Sequence, residues 1–278
     1  MHLSNKYHTV FVINMDRVKL IKSLLFVPAK DKMLAKIPFM NADAYIIDLE
    51  DSIPEEEKEE ALDRTIRYID GLESASNLIV RINSDHVERE LSALSRFSGI
   101  GFMLPKFEKH NPYNAYGDFL RTHYTIALVE TPNAIVDLYD ISKINYLNAL
   151  AFGAEDYTAK VNMENHVDYL YFQKSMLVTY AKANNLQVFD TPSFKLNDEA
   201  EFEREVKNAM GLGFDGKMAI SPKHIQFIND TFGSNDLDYM KSVISRYEAD
   251  GNAVVVIDGK VFERMHINRF KRIVKENS

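Results

Sequence analysis

Several short apolar runs in this sequence end on charge. One closes with Asp48-Leu49-Glu50-Asp51, the next with Arg81-Ile82-Asn83, and others with Pro105-Lys106, Glu130-Thr131, Gly153-Ala154-Glu155-Asp156 and Asp190. Charged groups at the end of an apolar segment are costly to desolvate unless paired or bound to something. Acids gathered around one arginine describe a hard-cation site with an anion clamp. Carboxylate oxygens suit Mg²⁺ or Mn²⁺, and a guanidinium suits a two-pronged grip on a carboxylate. Glu130 and Asp156, closing neighbouring runs, are the natural pair of metal ligands, because Mg²⁺ takes one or two carboxylates and leaves its other positions to water and substrate. The alternative is that each acid only caps the helix after it.

The elements that must position these groups are visible as a repeat. Apolar runs occupy residues 23–28, 44–50, 78–83, 101–106, 125–130, 149–154, 187–191 and 216–222, and helical patterns separate them. Several runs are continuously apolar, as expected of parallel strands buried on both faces. Between the third and fourth, Val87, Leu91, Leu94 and Phe97 recur at helical spacing. Eight strand–helix alternations predict an α/β fold, a (β/α)₈ barrel, whose active site forms where the strands end. An open doubly wound sheet would more often carry a glycine-rich turn after its first strand, and here that turn is Pro28-Ala29-Lys30-Asp31. The barrel is expected over residues 1–232, of which about 1–20 form an N-terminal extension. Residues 233–278 form a C-terminal helix–strand–helix extension, a lid over a barrel mouth or a docking arm for another subunit. Its elements are an amphipathic helix (Leu237, Met240, Ile244, Tyr247), a strand over 254–261 and a basic helix over 263–275.

Composition removes whole classes of function. The 278 residues include no cysteine, which excludes disulfides, thiolate nucleophiles and zinc–sulfur sites. A net charge of −8 has the wrong sign for non-specific binding to nucleic acid. No apolar run approaches the ~18–20 residues of a membrane span, and the short apolar stretch at 10–14 lacks the features of a secretory signal. These features point to the cytoplasm. The acidic run 55–60 reads as a solvated helix start, with Ser52 and Glu55 as a capping box around Pro54. The histidines are scattered without metal-ligand spacing and read as surface or loop residues.

The blocks SLLFVPAKDKMLAK, ADAYIIDLEDSIPEEEK, LIVRIN, LPK, ALVETP, LAFGAEDYT and GFDGKMAISP follow one another in the order and spacing of a known group. From about Ser23 onward the chain resembles the citrate lyase β-subunit-like proteins of the HpcH/HpaI aldolase superfamily, together with malyl-CoA and citramalyl-CoA lyases. The resemblance implies a Mg²⁺-dependent carbon–carbon lyase of retro-aldol or Claisen type, acting through an enolate on a 2-keto or hydroxy acid or its thioester. It places Mg²⁺ on Glu130 and Asp156, gives Arg81 the substrate's carboxylate or carbonyl oxygen, and puts Glu50 and Asp51 behind metal-bound water. Lys106, Ala154 and Glu155 would line the substrate. An acid of the C-terminal segment, delivered across a subunit contact, would be the base; the matching residue is Glu263. The family also implies a homo-oligomer, trimer or hexamer.

Three positions depart from that family's pattern: Lys22 and Ala29 stand where it has arginine and glycine beside the nucleotide thioester, and Ser221 stands where it has histidine. These departures make the partner a small keto or hydroxy acid, with CoA or an acyl-carrier thioester an open addition. Two rival readings are a pyruvate-type aldolase or other enolate barrel on a non-CoA substrate, and a non-catalytic barrel subunit of an assembly. Lys106 could in principle form a Schiff base, but a metal-stabilised enolate makes that unnecessary.

Overall fold

The computed structural model describes residues 21–233 and 237–276; the proposed N-terminal extension and the apolar stretch at 10–14 lie outside them. Eight parallel strands close on themselves: β1 (Ser23–Pro28), β2 (Ala44–Asp48), β3 (Leu78–Arg81), β4 (Gly101–Leu104), β5 (Tyr124–Val129), β6 (Ala149–Phe152), β7 (Gln187–Asp190) and β8 (Gly216–Ala219). They run in sequence order around the barrel, and β8 pairs back onto β1. All eight expected runs are strands, several ending one or two residues earlier than their apolar character suggests.

Alternation along the strands decides which residues face inward. Leu24, Ile46, Ile79, Met103, Ile126, Ala151, Phe189 and Met218 fill the barrel interior as one cluster. Two residues further along each strand, the same face presents Phe26, Asp48, Arg81, Pro105, Leu128, Gly153, Thr191 and Ile220. One more step of two on β1 and β5 gives Pro28 and Glu130. Residues of the other parity face the surrounding helices.

That parity corrects the reading of Asp190. It is fully buried, bonded to Lys174 Nζ at 2.8 Å and Lys217 Nζ at 2.9 Å, between the sheet and the helix Tyr171–Ala183. Burial pushes its carboxyl up, but the two lysines more than offset this and hold it below the usual range. Asp190 therefore ties sheet to helix and contributes no charge to the mouth.

The capping box at Ser52 is also not formed. A 3-10 turn Glu55–Glu57 leads into the helix Lys58–Asp70, and no side chain caps either start. The backbone N–H of Ser52 instead donates to Asp48 Oδ2 at 3.1 Å. Within the acidic run the surface acids are largely solvated, while Lys58 is buried and bonds the carbonyls of Leu49 and Glu50 at the end of β2.

The chain divides into two compact units, Met1–Thr231 and Phe232–Ser278. In the second, the expected single strand is a hairpin, β9 (Val254–Ile257) and β10 (Lys260–Glu263), packed with the helices Leu237–Asp250 and Arg264–Glu276 around Val243, Ile257, Phe262 and Ile267. The turn is Asp258-Gly259, both at positive φ (+51° and +76°), the geometry that a two-residue hairpin turn demands and Asp-Gly supplies. Among the described residues no helix is long and apolar enough to cross a membrane.

Candidate active site

The strand ends enclose a cavity of about 340 Å³ in the barrel unit, whose charged lining is Asp48, Asp51, Arg81, Glu130, Glu155 and Asp156. Arg81 is fixed by acids it cannot escape. Asp48, the neighbouring strand's last residue, takes its Nε and NH2 at 2.7 and 2.8 Å, a two-pronged pair buried at the mouth. Asp51 Oδ2 accepts from NH1 at 2.7 Å, and the Phe26 ring lies 5.1 Å beneath the guanidinium. Burial raises the Asp48 carboxyl, and the Arg81 fork more than reverses that, holding it below the usual carboxylate range. Asp51, by contrast, is 59% exposed, so its bond to Arg81 is open to solvent where the Asp48 pair is not.

Glu130 is buried at the end of β5. It caps no helix: its Oε1 accepts the backbone N–H of Lys106 at 2.6 Å, while the helix after it is capped by Thr131, whose hydroxyl accepts from Ala134 N. A methyl group on Gly153 would lie 2.5 Å from Glu130 Cβ and 2.6 Å from Oε2, so the carboxylate has room only because a glycine follows β6. Asp156 is half-buried in the first turn of the helix Ala154–Val161, where the helix dipole favours an acid.

The remaining expected residues divide. Glu50 is buried beneath the cavity, 3.1 Å from Lys106 Nζ and 3.4 Å from Arg81 NH1, yet neither of its oxygens accepts a well-aligned hydrogen bond. Burial and Asp51 push its carboxyl up against the pull of Arg81 and Lys106. Lys106 turns its half-exposed amine to Glu50 and its N–H to Glu130. Ala154 lines the cavity, but its N–H is spent on Thr191 Oγ1 at 3.3 Å. Glu155 is exposed at the rim and accepts from Asn165. Glu263 stands in the second unit, exposed, as the last residue of β10 rather than in the helix after it. Two histidines are not surface groups: His123 is buried with both ring nitrogens on carbonyl oxygens, and His224 stacks on Phe202 at 3.9 Å.

The site suits a divalent cation. Burial, then repulsion from Asp156 and Glu50, push the Glu130 carboxyl up to about 8 despite the Lys106 N–H. A cation at Glu130 and Asp156 would relieve that repulsion with an all-oxygen donor set. Among the described residues no group of three or more acids or histidines is placed to hold a metal ion.

Residues 22–222 match the model of the family described as HpcH/HpaI aldolase/citrate lyase. The chain belongs to that family. It is thereby a carbon–carbon lyase by class, with a closed parallel barrel as its fold. It is similar to citrate lyase subunit beta of Leuconostoc mesenteroides subsp. cremoris, 25% identical over 94% of each chain. It is also similar to the (3S)-malyl-CoA thioesterase of Cereibacter sphaeroides, 26% identical over 88% of this chain and 90% of that one. A solved citrate lyase beta subunit from M. tuberculosis, complexed with oxaloacetate and magnesium, superposes with a TM-score of 0.66 at 26% identity, over 76% of this chain and 97% of that one.

At the first departure from the family's pattern, Ala29 is buried and lies outside the left-handed backbone region, so the loop does not need glycine's freedom there. The other two departures are partly buried. The Lys22 N–H donates to Asp43 at 2.9 Å, and the Ser221 side chain caps no helix.

Proposed function

We propose that the chain makes or breaks a carbon–carbon bond next to the carbonyl of a 2-keto acid, with Mg²⁺ held by Glu130 and Asp156. The observation that carries this is that those two acids and Arg81 line a single cavity. A bound Mg²⁺ would supply Lewis acidity toward the keto acid's oxygens. Arg81 takes the substrate's carboxylate or carbonyl oxygen in place of Asp51 and offsets negative charge as the enolate develops. The Asp48 fork keeps the guanidinium plane fixed while that exchange occurs. Lys106 anchors Glu130 through its backbone and Glu50 through its amine, so the acids hold position without a covalent role for the lysine. Asp51 accepts hydrogen bonds from water in the cavity, Glu50 supports the site from beneath through Arg81 and Lys106, and Ala154 and Glu155 line the cavity. Glu263 acts as the base when the C-terminal unit of a neighbouring copy closes a mouth, which makes the enzyme a homo-oligomer.

The M. tuberculosis relative's oxaloacetate and the Cereibacter relative's thioester name support two substrate forms, the free keto acid and the CoA thioester. Calorimetric titration with pyruvate, oxaloacetate and glyoxylate, with and without Mg²⁺ and then with acetyl-CoA, tests the reading. Binding that requires Mg²⁺ and disappears in Glu130→Gln and Asp156→Asn is expected. An effect of acetyl-CoA adds the thioester. No Mg²⁺-dependent binding of any keto acid sinks the proposal in favour of a barrel that is only structural.

A further inference from the structure

We infer that the cavity is built for a substrate with two halves, a keto-acid head and an apolar chain, so that the partner joined to the keto acid is an apolar aldehyde. This rests on, and deepens, the proposed function. The charges at the mouth come from the stretch β2 to β6: Asp48 on β2, Arg81 on β3, Glu130 after β5 and Asp156 after β6. The arc β7–β8–β1, contiguous because β8 closes on β1, carries none into the cavity. Its inward positions are Thr191, Met218, Ile220 and Phe26, continued by Pro192 and Phe194 in the loop after β7. The two charged residues of that arc, Asp190 and Lys217, have the opposite parity and are consumed by each other and by Lys174.

Phe194 is 52% exposed at the rim, an aromatic ring left partly in water beside the opening. A volume near 340 Å³ lies in the ~300–1,000 Å³ range of pockets that take a drug-sized ligand, which leaves room beyond a keto acid of three or four carbons. An extended carboxylate or a polyol would be desolvated against the apolar surface of Pro192, Met218 and Ile220. An alkyl chain would bury its surface there.

The reaction balances without a co-reactant. The keto acid's methyl carbon loses a proton and bonds to the aldehyde carbon. The former aldehyde oxygen gains a proton, giving a 4-hydroxy-2-keto acid, and cleavage is the reverse.

The test has two arms. In D₂O with Mg²⁺, exchange of the pyruvate methyl protons, followed by NMR, reads the enolate centre with no aldehyde present. With pyruvate fixed, kcat/KM is then measured for propanal through hexanal and for an aldehyde of hexanal's length ending in a carboxylate. The expected result is exchange together with a rise of about fourfold per methylene, a poor carboxylate-ended aldehyde, and a flattened series in Phe194→Ser. Calorimetric affinity for straight-chain 2-keto acids should rise along the same series. Exchange with a flat series, or with preference for the charged aldehyde, overturns the inference and leaves the proposed function standing. No exchange overturns both.

Discussion

The backbone N–H of Lys106 donates to Glu130 Oε1 across 2.6 Å, and Lys106 holds φ at +49° where it does so. A non-glycine residue in the left-handed region is uncommon and costs of order 1 kcal/mol or more, so surrounding structure must enforce it. What β4 contributes to the site is therefore a backbone donor aimed at a buried carboxylate. The amine is a separate contact, to Glu50.

Lys106→Gly separates the two contributions. Glycine keeps the N–H and relieves the strain, so stability should rise or fall by no more than about 1 kcal/mol in urea unfolding. Mg²⁺-dependent keto-acid binding should persist. Complete loss of turnover with binding intact would instead mark the amine as a covalent catalyst.

Asp48→Asn removes the acid that holds the Arg81 fork. Breaking a buried pair leaves an uncompensated charge, and the expected cost is about 3–5 kcal/mol of stability, measured by denaturant midpoint. Keto-acid affinity should fall with it, because the guanidinium loses its fixed plane. A variant as stable and as tight-binding as the parent would show that Asp51 and Glu50 suffice.

Gly153→Ala tests the room left for Glu130. The new methyl would sit within 2.6 Å of Glu130 Cβ and Oε2, so the carboxylate must move. The expected outcome is a folded protein whose Mg²⁺ affinity drops roughly 10–100-fold, the size typical of a disturbed ligand support. Unchanged Mg²⁺ affinity by calorimetry would separate Glu130 from the metal.

Glu90 gives a pH dependence away from the metal acids. It is fully buried, with Oε2 accepting from Asn83 N at 2.7 Å and Oε1 without a hydrogen-bond partner. Burial pushes its carboxyl up to about 7, against the Asn83 N–H. The folded state thus holds its proton more tightly than the unfolded one. The associated stability is full below the ordinary carboxyl range and is lost as pH rises through about 7. In Glu90→Gln that portion of the pH dependence should disappear, with a gain of at most roughly 3 kcal/mol at pH 8. An unchanged stability–pH profile would show that Glu90 is already ionised in the fold.

The sequence by itself determined the barrel. Eight runs buried on both faces, each followed by a helical pattern, leave few other ways to bury so much apolar strand, and the charges that close those runs marked Arg81, Glu130 and Asp156 as candidates, which line one cavity. It also held two signals that apolar character alone hides. Asp258-Gly259 marks the hairpin that a continuous reading of 254–261 merges, and inward parity from Ile46 marks Asp48 as the partner of Arg81. Asp190 shows the same rule from the other side, since it ends a strand like Arg81 but with the parity that faces the helices. Only the tertiary structure decided which donors meet: the Lys106 N–H on Glu130, the missing Cβ of Gly153 against its carboxylate, and the uncharged arc formed where β8 closes on β1. Those depend on distances between strands far apart in sequence and on backbone angles that a residue's type permits but does not dictate.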